Sequence, residues 1–64
     1  MSTDRYTELI QHIEAMKDDF EKFYAKGKNA AGTRLRKSLQ ELRRLAQEIR
    51  TEIQAIKVAR KSET

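Results

Sequence analysis

Cysteine, proline and tryptophan are missing from this chain, and histidine and glycine are scarce. Without cysteine there can be no disulfide framework and no thiolate metal site. The lone histidine, His12, cannot build a metal centre with scattered carboxylates. No apolar run approaches the roughly 20 residues that cross a bilayer. Met1-Ser2-Thr3-Asp4 lacks the basic-then-apolar pattern of a signal peptide, so a cytoplasmic protein that does not engage membranes is expected. There is no Ser-His-Asp set, no phosphate-cradling glycine loop and no metal-ligand spacing. Neither an enzyme nor a cofactor is expected, and no catalytic or metal-binding residue is assigned.

Glu, Lys, Arg, Gln, Leu and Ala dominate, the composition of long helices. Apolar residues fall at Tyr6, Leu9, Ile13, Met16, Phe20 and Phe23, and again at Leu35, Leu39, Leu42, Ala46, Ile49, Ile53 and Ile56. Steps of three and four alternate in both series, which is the seam of a left-handed helical pairing. The alternation at period two that a strand requires is absent.

The pattern predicts one domain over 1–64: a helix over about 4–26, a turn at about 27–29, a second helix over about 30–60 and a frayed tail at 61–64. Ser2 or Thr3 is the expected N-cap of the first helix, and Asn29 that of the second. Gly27 suits a left-handed residue ending the first helix. Gly32 falls in the first turn of the second, where close packing is possible. A break this short folds the helices back antiparallel, so the fold class is all-α, a two-helix hairpin of coiled-coil type. Ile10, Tyr24, Leu45 and Ala59 widen the apolar stripes beyond what two helices cover. A chain of 64 residues also has a marginal core. Both facts point to a homodimer forming a four-helix bundle.

Charge is distributed unevenly. Residues 1–26 carry four Lys or Arg against six Asp or Glu, a net −2; residues 27–64 carry ten against four, a net +6. Between Ala25 and Gln40 there is no acid, while Lys26, Lys28, Arg34, Arg36 and Lys37 are all basic. Helix-start N–H groups and the Thr33 and Ser38 hydroxyls lie in the same region, which makes a phosphate-binding tip. The candidate nucleic-acid contacts are Lys26, Lys28, Thr33, Arg34, Arg36, Lys37, Arg43 and Arg44. Arg36, Arg43, Arg50 and Lys57 form a strict seven-residue series. For Arg50 and Lys57 the simpler expectation is snorkelling over the seam and pairing with Glu48, Glu52 and first-helix acids. Arg34 and Lys37 are read as lying off the seam. His12 is read as a solvated surface residue. Tyr6, Phe20, Phe23 and Tyr24 are read as core, with base stacking by Tyr24 the lesser alternative. Asp18, Asp19 and Glu21 are read as a solvated face supported by the Glu14-Asp18-Lys22 spacing.

Three stretches carry a resemblance. They are the run from Ile13 to Tyr24, the turn Lys26-Gly27-Lys28-Asn29-Ala30-Ala31-Gly32-Thr33-Arg34, and Leu39-Gln40-Glu41-Leu42 with the run from Leu45 to Arg50. Together they resemble the bacterial linker-histone-like proteins of the Hc type over nearly the whole chain. The resemblance implies DNA binding and chromosome compaction in the nucleoid. Longer members of that family carry an extended Lys/Ala-rich tail, and this sequence has almost none before Thr64, so strong autonomous compaction is not expected. The expected function is DNA binding without sequence specificity. Charge alone is equally compatible with structured RNA, for example in a ribosome. A purely structural helical adaptor is the alternative of a different class.

Overall fold

The computed structural model describes residues 4–63. It consists of two helices, α1 (Arg5–Tyr24) and α2 (Asn29–Glu63), joined by a four-residue turn. No strand occurs among the described residues. The hairpin read from the apolar spacing is borne out, and it is slender, 55 × 20 × 14 Å.

Local chemistry explains where the helices end. Asp4 is extended, and its Oδ1 accepts from the Thr7 N–H at 2.7 Å, which caps α1. The two residues expected in that role, Ser2 and Thr3, lie outside the described residues. At the other end Gly27 takes φ +66°, the left-handed conformation that lacks a steric penalty only in glycine. This reversal lets the Gly27 N–H reach the Phe23 carbonyl (3.2 Å) and the Lys28 N–H reach the Lys22 carbonyl (2.9 Å). Carbonyls of the last turn of α1 are thereby satisfied. Asn29 is the first helical residue of α2 rather than its cap. The Lys28 carbonyl accepts from Ala31 and Gly32 at the helix start instead. α2 continues to Glu63, three residues past its expected end, and Thr64 lies outside the described residues. It contains no Pro, its one Gly, Gly32, lies in its first turn, and Arg60 and Lys61 complement the negative end of the helix dipole.

The core is small and sits near the turn. Met16 (3 % exposed), Ala31 (0 %) and Leu35 (5 %) are its buried members. Gly32 brings the helices together there, because a Cβ at this position would stand 2.6 Å from the Phe23 ring. The close packing anticipated for Gly32 is therefore observed.

Elsewhere the helices meet along lines rotated from the predicted seams. On α1 the facing line is Arg5, Leu9, His12, Met16, Asp19 and Phe23; on α2 it is Ala31, Leu35, Ser38, Leu42, Leu45, Ile49 and Glu52. Apart from Phe23, which is exposed at the edge of the line, all are buried or half-buried. Tyr6 (72 % exposed), Ile13 (52 %), Leu39, Ala46, Ile53 and Ile56 are exposed, as is Tyr24 (74 %). The core assignments of Tyr6, Phe20 (39 % exposed) and Tyr24 are therefore corrected, and Phe23 lies only at the core's edge. Polar partners explain the rotation: three cross-helix polar contacts occupy places on the facing lines that apolar residues were expected to fill.

Candidate nucleic-acid interface

The electrostatics of the hairpin begin with those cross-helix contacts. The Arg5 guanidinium donates from Nη1 to Glu8 (2.7 Å), from Nε to Glu52 (3.0 Å) and from Nη2 to both Glu48 and Glu52. Hydrogen bonding to Glu52, then Glu8, pushes the Arg5 pKa up, and hydrogen bonding to Arg5 holds the Glu52 carboxyl below its ordinary value. Nearer the turn, Arg34 donates to Asp19 Oδ1 from Nε (3.1 Å) and Nη2 (2.9 Å). Between these pairs, His12 Nε2 lies 2.9 Å from the Ser38 carbonyl. Because a carbonyl only accepts, that nitrogen carries the proton. On α1 itself, Lys22 pairs with Asp18 at 3.0 Å, so that Asp18 is held below its ordinary value chiefly by this hydrogen bond.

Four expectations change as a result. His12 is a half-buried cross-helix donor, not a solvated residue. Asp19 is an inward partner of Arg34, whereas Asp18 pairs with Lys22 as the helical spacing suggested. Arg34 is not off the seam; its guanidinium binds α1. Glu48 and Glu52 are taken by Arg5, so Arg50 and Lys57 form no ion pair among the described residues.

This removal of acids defines a surface. With 3.6 residues per turn, the side of α2 facing away from α1 is occupied by Thr33, Arg36, Lys37, Gln40, Arg43, Arg44, Gln47, Arg50, Thr51 and Gln54. No acid stands among them, and Glu41 and Glu48 border them on one edge, Glu48 sharing a depression with Arg43, Arg44 and Gln47. All are exposed. None of the cations on this face forms an ion pair with a described carboxylate. Shallow, open depressions join Thr33, Arg36, Lys37 and Gln40, and then Lys37, Gln40 and Arg44 with Glu41 at the rim, into one continuous surface. Arg36 to Arg50 spans about 21 Å of helix.

The sequence-derived candidates thus divide into groups. Arg36, Lys37, Arg43, Arg44 and Thr33 come together on the outward face of α2. Lys26 and Lys28 stand exposed in the turn at its start. Arg34 is turned away, onto α1. Gln40, Gln47, Arg50, Thr51 and Gln54 were not among the candidates but share the face. Their signal was present in the sequence, since Gln40, Gln47 and Gln54 repeat every seven residues in step with Arg36, Arg43 and Arg50.

The family described as histone H1-like protein Hc1 matches residues 3–59. The chain belongs to the histone H1-like Hc1 family. The resemblance read from the turn and the flanking helices is therefore borne out, and the family is one of non-enzymatic DNA-binding proteins. No curated protein and no solved structure matches the chain. Among the described residues no helix is long and apolar enough to cross a membrane.

Proposed function

We propose that this Hc1-family chain is a nucleoid protein that holds the DNA phosphate backbone without reading sequence. The outward face of α2 and the turn that precedes it make the contact. The observation that carries this reading is the acid-free face itself: its cations have no carboxylate partner among the described residues. Exposed arginines and lysines without partners neutralise phosphates and release condensed counterions, which supplies sequence-independent affinity. Glutamine amides and threonine hydroxyls interleaved with them donate to phosphate and sugar oxygens and so fix the position of the helix. Lys26, Lys28, Arg36, Lys37, Arg43 and Arg44 are the principal cations, with Arg50 extending the row. Arg34 serves the hairpin first, because its guanidinium is committed to Asp19.

Charge reversal on the face tests the reading without touching the helix pairing. Lys37→Glu combined with Arg44→Glu is expected to abolish binding to duplex DNA while circular dichroism stays at the wild-type level. Unchanged binding by this variant would remove the face from the mechanism. If folded RNA binds tightly and duplex DNA weakly, with the same two residues required, the phosphate-binding face stands and DNA as the ligand fails.

A further inference from the structure

Tyr24 takes no part in the facing lines of the hairpin or in the cation face of α2. At 74 % it is more exposed than any other large apolar side chain among the described residues. Its ring is nevertheless held in place. Phe20, one helical turn back, lies parallel to it with a centroid separation of 6.1 Å, and Phe23 stands nearly perpendicular to it at 5.1 Å. Phe23 is itself seated against α2, where Gly32 leaves room for its ring. Tyr24 is therefore a supported aromatic ledge that is largely open to solvent.

The ledge forms one wall of a groove of about 320 Å³ beside the turn, the lower end of the range for small-ligand sites. Phe23, Tyr24 and Leu39 make it apolar, Asn29 and Arg36 bring an amide and a guanidinium to its lining, and no carboxylate lines it. The exposed Lys26 and Lys28 follow Tyr24 directly in the turn. Arg36 also belongs to the outward face of α2, so a phosphate chain seated on that face runs past the groove. We propose that the groove receives an unpaired base of a DNA strand, stacked on Tyr24, while Arg36 and the turn lysines hold the phosphates on either side. This inference rests on the phosphate-binding reading of the α2 face and adds a preference for opened or single-stranded DNA at the tip.

The chemistry of the groove selects such an occupant. A flat apolar group that carries its own negative charge complements an aromatic wall in a stretch without acids, from Ala25 to Gln40. A cationic partner is disfavoured by Arg36, Lys26 and Lys28. In an intact duplex the bases are stacked inside, and reaching the ledge would require extruding one of them against stacking and pairing. In a mismatched or single-stranded segment that cost is already met. Stacking on an aromatic ring tolerates every base, because every base has a π-face, so the ledge adds no sequence reading.

Two DNAs of equal length and equal phosphate number test the inference: an intact duplex, and the same duplex with a central run of mismatches. The wild-type protein is expected to bind the mismatched DNA at least about 5-fold more tightly, the effect of one stacked base. Tyr24→Ala is expected to remove that preference and to leave duplex affinity and the melting temperature of the protein unchanged, whereas Tyr24→Trp should keep it. The chain has no tryptophan, so indole emission in Tyr24→Trp reports on the ledge alone. Mismatched DNA is expected to quench it and intact duplex is not. Equal affinity of the wild-type protein for the two DNAs, a Tyr24→Ala protein that keeps the preference, or equal quenching by both DNAs overturns the inference and leaves the phosphate-binding face standing. Lys37→Glu with Arg44→Glu should weaken binding to both DNAs together. If it weakens neither, the phosphate-binding reading fails, and this inference fails with it.

Discussion

On one flank of the hairpin Arg5 holds Glu48 and Glu52, and Arg34 holds Asp19. On the other flank Ile13, Phe20 and Leu39 meet solvent. The same two helices build both flanks, and the contrast shows what sets their pairing. A heptad pattern repeats every seven residues, so apolar contacts alone are nearly unchanged by a slide of two turns. The polar contacts are not: only one register brings Arg5 to Glu52, Asp19 to Arg34 and Gly32 under the Phe23 ring. Individually such exposed ion pairs add little stability. Their effect is to choose among alternatives of similar apolar burial, which is the role best attested for polar groups in helical pairs.

The sharpest way to break this comparison is to remove a leucine from each environment. Leu35→Ala, at a buried position, is expected to cost about 2–5 kcal/mol in urea denaturation. Leu39→Ala, one turn away on the exposed flank, is expected to cost much less in dilute protein. Its cost should rise with protein concentration if the flank is covered by a second copy. Equal losses at all concentrations would mean that the two flanks do not differ as described.

Gly32→Ala comes next in size, and its sign is informative. Helix propensity alone would make alanine stabilising by about 1 kcal/mol. The new Cβ instead meets the Phe23 ring, and overpacking of this kind costs about 1–3 kcal/mol. A lowered melting temperature, partly restored by Phe23→Leu, is the expected result. A raised one would show that the helices do not approach closely at Gly32.

The smallest effect concerns the polar flank in acid. Hydrogen bonds to Arg5, Lys22 and the Thr7 N–H hold Glu52, Asp18 and Asp4 respectively below their ordinary values. Carboxyls lowered by folding contribute stability that is fully present above the ordinary carboxylate range, about pH 4. That contribution is lost as pH falls through the lowered values. The melting temperature should therefore be flat from neutrality to about pH 5 and fall below it. Glu52→Gln should lower the plateau slightly and flatten the acid limb. A Glu52→Gln protein whose acid limb matches the wild type would remove Arg5 and Glu52 from the account.

Much of the molecule was legible from the residues. Apolar spacing located both helices, and Gly27 and Gly32 were read correctly because each is demanded by local geometry: a positive φ in one case and the Phe23 ring in the other. The rotation of the helices about their axes was not legible. Each apolar stripe is wider than a single partner covers, and choosing its buried half depends on long-range pairs such as Arg5 with Glu52, 47 residues apart. The same gap misplaced His12 and Arg34, which look like surface residues until their partners on the other helix are known. The cation row of α2 was visible in the sequence, but its freedom from acids was not. That follows only from the placement of Glu48 and Glu52 on the side taken by Arg5.

The central claim is that the outward face of α2 holds phosphates, and the salt dependence of duplex DNA binding tests it most directly. If about five cations neutralise phosphates, log K falls against log salt with a slope near −4.5, a loss of roughly 500-fold between 50 and 200 mM. Arg43→Gln with Arg44→Gln should weaken binding to every sequence alike and make the slope shallower by about 1.8. An affinity that ignores salt, or a double variant with the wild-type slope, would contradict the account.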